Sequence, residues 1–400
     1  MGRAEELCGT PNPLAERYSR FRVAERLLLT GHSHQAWPDR GFEGQQRAWL
    51  DAAELVDEKW ERAFARAERV RLGWAQLLDD DPRRIVLAQN THELLLRFLS
   101  VLPLRERPRV VTTDGEFHTI RRQLDRLAEE GLEVRKVPAH PGAGVGERLL
   151  PEIDERTAAV LVSSVFFMTG HVAGGLDDVM AACARVGAEL LVDVYHSLNA
   201  IPFRLSEEGV GDAFVVGGGY KYCQLGEGNC FLRVPPGREA MRPVVTGWFS
   251  EFSALGSPEK GGPVDYGRGP DRFAGSTYDP TSHYRAAEVF DCFREWGLAP
   301  ELLRQVSQSQ VGFLAERFDA IDADPAVIDR DRDVPLAGVG GFLALRTPHA
   351  AGFSRRLRER GVLTDYRLDL LRLGPAPYLS RAQLAAAADA LQAVVREGFG

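Results

Sequence analysis

The chain has 400 residues, 44% hydrophobic and 26% charged, an ordinary globular composition with room for two or three domains. A net charge of −8 and a pI near 5.7 argue against nucleic-acid and anionic-membrane partners, both of which call for basic patches. No apolar run approaches a membrane span and MGRAEELCGTPNP lacks a signal peptide's apolar region. Cys8, Cys183, Cys223, Cys230 and Cys292 show no CxxC spacing. These features predict a cytoplasmic protein with free thiols, no disulfide frame and no metal site.

Residues 1 to about 40 hold an irregular stretch, Leu29-Thr30-Gly31-His32-Ser33-His34-Gln35-Ala36-Trp37-Pro38. Its two histidines flank one serine and no third ligand follows, so it reads as a loop that lines a site or lies on the surface. From about Gly41 to Leu78 the pattern is helical, with Trp49, Leu50, Ala53, Leu55 and Trp60 among alternating charges. Ile85-Val86-Leu87-Ala88 is a short strand, and Asn90 with Glu93 has capping-box spacing at the start of the next helix. A helix that begins directly after a strand offers free N–H groups and the positive end of its dipole to a phosphate, with Asn90 and Thr91 as added donors. The plain alternative is an ordinary capped helix.

Arg109 to Asp114 reads as another strand, followed by Gly115-Glu116-Phe117-His118 and a helix with Ile120, Leu124 and Leu127 on one face. An aromatic at that corner could stack on a planar cofactor, or simply edge the core. Ala158 to Ser164 is a strand of the fully buried type, and Leu176, Val179, Met180 and Cys183 mark an amphipathic helix. That helix leads into Glu189-Leu190-Leu191-Val192, which stops at Asp193. A further β-prone run, Ala213-Phe214-Val215-Val216, stops at Gly217-Gly218-Gly219-Tyr220-Lys221. Strand–helix alternation from 85 to 234 predicts a mainly parallel sheet, whose ligands sit beyond the carboxyl ends of the strands.

An acid and a lysine at two such ends are what pyridoxal phosphate (PLP) requires. The lysine forms a Schiff base with the aldehyde, and the acid keeps the pyridine nitrogen protonated so that the ring can accept electrons. Alone, a lysine after glycines is usually a solvated turn residue and an Asp at a strand end a helix cap. After Val234 the pattern changes to long loops, with Gly247-Trp248-Phe249 and a glycine-rich run from Gly261 to Pro270. Helical signal returns at about 282–320. Gly341 to Arg346, a helix, Leu370 to Leu373 and a last helix capped by Ser380 and Gln383 complete a smaller α+β unit.

In this order the motifs resemble those of the fold-type I PLP enzymes of the class V aminotransferase group, and within it kynureninase. Ser164 to Gly170, Asp193-Val194-Tyr195-His196, Tyr220-Lys221-Tyr222, Gly247-Trp248-Phe249 and Arg372-Leu373-Gly374-Pro375-Ala376-Pro377 carry the resemblance, which spans about Leu29 to the carboxyl end. It implies an α/β fold with a seven-stranded-type, mainly parallel PLP-binding sheet domain and a smaller C-terminal α+β domain. The division would be 1–60 for an N-terminal segment, 61–290 for the large domain and 291–400 for the small one.

The resemblance also implies roles. Lys221 would carry the cofactor and shuttle the α-proton, and Asp193 would pair with the pyridine nitrogen. His196 would support that acid or the ring's phenolic oxygen. Asn90, Thr91 and Tyr220 would bind the phosphate, Phe117 would stack on the ring, and Arg372 would hold an amino-acid substrate's α-carboxylate. Trp248 and Thr277 would reach the substrate from the other subunit of a homodimer, and His32 and Ser33 would lie near it. The sequence departs from kynureninases at Ser250-Glu251, at Gly275-Ser276-Thr277, and at His32 and His34. All these changes fall on the half of the site that binds the substrate's side chain.

The expected reaction is therefore kynureninase-like hydrolytic Cβ–Cγ cleavage, with a PLP-dependent C–S β-lyase, decarboxylating deaminase or aminotransferase as alternatives. Residues 293–372 contain no cysteine, which disfavours sulfur transfer of the desulfurase kind. A non-catalytic phosphate-ligand or interaction protein is the reading from another class, and the Lys221–Asp193 pair weighs against it.

Overall fold

A computed structural model of the chain describes residues 2–254 and 262–398. At its centre is a seven-stranded sheet. In chain order its strands are β1 (Ile85–Ala88), β2 (Arg109–Thr113), β3 (Glu133–Val137), β4 (Thr157–Ser163), β5 (Glu189–Asp193), β6 (Phe214–Gly218) and β7 (Cys230–Arg233). Across the sheet the order is β1-β7-β6-β5-β4-β2-β3. Only β7 runs antiparallel to its neighbours, so the expected mainly parallel sheet is present.

The inner strands are buried along their whole length because helices cover both faces, which is why they read as continuous apolar runs without alternation. The edge strand β3, Glu-Val-Arg-Lys-Val, is half exposed and carries too little apolar pattern to stand out in the sequence. The helical stretch after Gly41 is two helices, Asp39–Leu55 and Lys59–Leu78, broken at Val56, whose φ of 52° no α-helix accommodates. The later helical signal also divides, into Thr281–Glu295 and Pro300–Asp319, around Gly297 at φ 64°.

A four-stranded antiparallel sheet follows, built on the pairing of Leu343–Arg346 with Leu370–Leu373. Leu27–Leu28 pairs with Val362–Leu363, so the N-terminal segment packs with the C-terminal part of the chain. The last helix, Arg381–Glu397, has the expected capping box between Ser380 and Gln383. Part of the glycine-rich run, Gly261 included, lies outside the described residues. No described helix is long and apolar enough to cross a membrane.

Of the three glycines before Lys221, Gly217 and Gly218 belong to the strand and only Gly219 to the bend that follows. Strand β6 runs through Gly218, and the glycines are small because side chains pack directly on them. A Cβ on Gly218 would sit 2.5 Å from the Tyr195 ring, and one on Gly219 would sit 2.6 Å from Leu225. The backbone then turns back, with Leu225 N–H donating to the Gly219 carbonyl at 2.8 Å. This holds Lys221 at the sheet's carboxyl edge.

Candidate active site

At that edge Asp193 closes β5 and Lys221 follows β6, the neighbouring strand. Both face a cavity of about 450 Å³, lined also by Asn90, Thr91, Phe117, His196 and Tyr220. All seven residues expected to hold the cofactor are thus brought together. His32, Ser33, Trp248, Thr277 and Arg372 are not among the residues lining this cavity.

Lys221 is 5% exposed. Burial pushes its ammonium down to about 7, against the opposing pull of Asp193. Its Nζ lies 2.5 Å from His196 Nε2, 4.5 Å from the centre of the Tyr195 ring and 5.2 Å from that of Phe117. Burial also holds the His196 imidazole well below its ordinary range, so the ring is neutral beside the lysine. His196 therefore contacts Lys221, and no bond joins it to Asp193. Its Nδ1 is buried and has no partner among the described residues.

Asp193 Oδ1 accepts the Tyr195 N–H at 2.8 Å. Burial raises its carboxyl above the usual range, against the opposing pulls of the Tyr195 N–H and Lys221. Helix Thr91–Val101 begins at the cavity wall. Asn90 Oδ1 caps it by accepting Glu93 N–H at 3.0 Å, and Asn90 Nδ2 donates to Glu93 Oε1 at 3.2 Å. The Asn90 side chain is thus committed to its own helix. That leaves the His92 N–H of the first turn and the Thr91 hydroxyl for an anion. An aldehyde-bearing pyridinium phosphate fits this donor set: a neutral-capable lysine, an acid for the ring nitrogen, an aromatic wall and a helix start for the phosphate.

The remaining expected residues take other positions. Arg372, 3% exposed, donates from Nε to Asp365 Oδ1 at 2.7 Å and from Nη2 to the same oxygen, and from Nη1 to the Phe167 carbonyl at 2.6 Å. His32 Nε2 lies 3.4 Å from that Asp365 oxygen, so His32 braces the acid that holds Arg372. Ser33 lines a separate, more open cavity with Asp365 and Arg367. Trp248 Nε1 donates to Thr277 Oγ1 at 3.2 Å, and Thr277 lines a third cavity of about 380 Å³. Gln89 borders both this cavity and that of Lys221.

Sequence reasoning passed over Tyr195, Ser163 and Glu116. Tyr195 sits inside the Asp193–His196 motif, but its packing on Gly218 is visible only in the fold. Ser163 ends a buried strand beside Asp193, and only the register of the two strands reveals the pairing.

Strand order, the single antiparallel strand, and a lysine and an acid at adjacent strand ends define the fold as that of the fold-type I PLP enzymes. Solved structures agree. A cystine C–S lyase, C-DES, in complex with its product cysteine persulfide superimposes with a TM-score of 0.80 at 16% identity, over 92% of this chain and 98% of that one. The cysteine desulfurase CsdA from Escherichia coli gives 0.76 at 16% identity, over 97% and 99%. No protein-family model matches the chain.

Among curated proteins it is similar to the uncharacterized aminotransferase YcbU of Bacillus subtilis, 24% identical over 86% of this chain and 88% of that one. Isopenicillin N epimerase of Streptomyces clavuligerus is 26% identical over 86% and 89%. A kynureninase of Geobacillus thermodenitrificans is 22% identical over 88% and 80%. These relatives agree with the class V, kynureninase-like resemblance carried by the motifs.

Proposed function

We propose that the protein is a PLP-dependent enzyme acting on an α-amino acid, with kynureninase-like hydrolysis of a Cβ–Cγ bond as its reaction. The observation that carries the reading is the pair of Lys221 and Asp193 facing one cavity from adjacent strand ends, with a helix start on its wall. When bound, the cofactor supplies an aldehyde for amino groups and a protonated ring that takes up an electron pair from the substrate.

The chain's own groups do the rest. Lys221, its ammonium lowered to about 7, has a neutral Nζ able to attack a carbonyl carbon and to take or return the substrate's α-proton. His196 keeps that nitrogen in place without competing for its proton. Asp193 would hold a proton at the pyridine nitrogen, its carboxylate oriented by the Tyr195 N–H. Phe117, on the cavity wall, would cover the cofactor ring and exclude water there. Arg372 has one N–H left on each terminal nitrogen after its bonds to Asp365 and Phe167, and these are the donors for an α-carboxylate.

A second reading, β-elimination from an S-linked or otherwise β-substituted amino acid, draws support from the third cavity. Trp248 and Thr277 bond to each other outside the Lys221 cavity, so within one chain neither residue expected to meet an aryl ketone lines the cofactor position. We propose further that the protein is a cytoplasmic homodimer whose sites are shared. Trp248 is 43%, Phe252 48% and Val244 82% exposed, an apolar surface suited to self-association.

Steady-state kinetics with kynurenine and 3-hydroxykynurenine beside cysteine S-conjugates and aspartate-like acids, scored for alanine, pyruvate, ammonia and keto acids, separates the readings. A site that lacks the partner for a polar group discriminates poorly in its favour, so both kynurenines are expected to be poorer substrates than another β-substituted amino acid. A high kcat/KM for kynurenine, with alanine as product, would establish the hydrolase outright. Pyruvate and ammonia from an S-conjugate would establish the lyase. Failure of the purified protein to take up PLP would end both.

A further inference from the structure

One buried acid has no part in the chemistry above. Glu116 is 2% exposed and follows β2, and its side chain folds back over the carboxyl ends of β2 and β4. Its Oε1 accepts from Thr113 Oγ1 at 2.7 Å and from Ser163 N–H at 3.2 Å, and its Oε2 lies 2.6 Å from Ser163 Oγ. Gly115 N–H donates to Thr113 Oγ1 at 3.2 Å, which leaves the Thr113 proton free to point at Glu116. Oε1 is therefore an acceptor twice over, and any proton on Glu116 belongs on Oε2, facing Ser163.

Ser163 is where this network meets the site. It lines the Lys221 cavity and is the register partner of Asp193 on the adjacent strand. When Glu116 is neutral, Oε2–H donates to Ser163 Oγ, and the serine's own proton is free to turn to the cavity. When Glu116 is ionised, it draws the serine proton to itself and a second negative charge stands beside Asp193. The cavity floor therefore presents a donor or an acceptor according to the state of an acid that never touches it.

Resting on the PLP reading, we propose that Glu116 is a positioning residue: acting through the Ser163 hydroxyl, it sets the hydrogen-bonding sense of the cavity floor and the charge beside Asp193. Burial is the largest influence on its carboxyl, raising it from 4.5 to about 7, with Asp193 adding to the rise. The other charged groups nearby are Lys221, which acts on Asp193 in turn, and Asp114, which is turned away to accept Ala139 N–H at 2.8 Å.

The sign of the pH effect follows. Between about pH 4.5 and 7 the unfolded chain has lost the Glu116 proton and the folded chain keeps it, so stability falls as pH rises through that window. Asp193, also raised, contributes a fall of the same sign.

The test uses the full-length chain. Glu116→Gln keeps the shape, accepts at Oε1 and donates to Ser163, but cannot ionise. The difference infrared spectrum of wild type against Glu116→Gln should show a protonated-carboxyl stretch only in wild type, and thermal unfolding of the variant should lose part of the decline between pH 4.5 and 7. In the PLP-loaded protein, the pH midpoint of the cofactor's absorption band should move down in Glu116→Gln, because a negative charge is gone. In a Ser163→Ala background the same substitution should produce a smaller shift, the part that charge alone carries through space.

An unmoved midpoint together with an unchanged infrared spectrum overturns the proposal while leaving the PLP reading intact. A full shift in the Ser163→Ala background overturns the serine route. If wild type takes up no PLP, the reading beneath the proposal fails, and the infrared band alone would make Glu116 a buried structural acid.

Discussion

The carboxyl edge of the central sheet and the loop region from Val244 to Tyr278 are built on opposite principles. At the sheet edge, Asp193 ends its strand and Lys221 follows the next one, both buried, with Asp193 held by the Tyr195 N–H and Lys221 by His196. In the loops, Trp248, Phe249 and Phe252 pack on one another and Phe249 packs on Trp60 of the helix Lys59–Leu78, and Trp248 Nε1 donates to Thr277. The groups proposed to hold the cofactor thus sit on the buried sheet, and those proposed to meet the substrate sit on loops.

The largest expected effect comes from the sheet edge. Lys221→Ala should lower turnover by roughly 10³-fold or more and abolish borohydride fixation of PLP, while PLP still binds through the phosphate contacts. In wild type, PLP uptake should slow as pH falls below about 7, where Lys221 becomes protonated. A wild-type rate of uptake at pH 5 would contradict the placement of that lysine.

Asp193→Asn comes next. It should fold normally but lose about 10²-fold in kcat, because an amide cannot hold the pyridinium proton, and near-normal turnover would remove Asp193 from the chemistry. Arg372→Lys should lower kcat/KM by roughly tenfold to a hundredfold. A point ammonium cannot satisfy Asp365, the Phe167 carbonyl and a substrate carboxylate together, and an unchanged KM would place the carboxylate elsewhere.

The smallest effect belongs to the loops. Mixing Lys221→Ala chains with Trp248→Ala chains should restore part of the activity if each site draws on both subunits. Confirmed subunit exchange without recovery would mean that the loops serve their own chain.

Much of the sheet edge was legible in the sequence, because buried parallel strands ending in a single polar residue leave a clear apolar signature. Asp193 and Lys221 stand out for that reason, and Asn90 for its cap spacing. Contacts that depend on register or on chain return were not legible. That Ser163 faces Asp193 follows only from how β4 and β5 slide against each other, and Glu116 reads as an acid in a turn until its side chain is seen to fold inward. His32 gave the opposite error. Its place near the site was readable, but its bond to Asp365, a residue distant in sequence, was not, and that bond makes it a brace for another group.

The segment from Ser164 to Val172 makes the two sheets one mechanical device. It is pinned to the small-sheet side by Val172 N–H to Gly338 O at 3.0 Å and Gly340 N–H to Gly170 O at 2.7 Å. Just before those pins the Phe167 carbonyl is gripped by Arg372, and the Phe167 ring meets Phe117 edge-on at 5.2 Å. A rotation of the small sheet that moved Arg372 would pull on the Phe167 carbonyl and, through the Phe167 ring, on Phe117, the residue proposed to cover the cofactor.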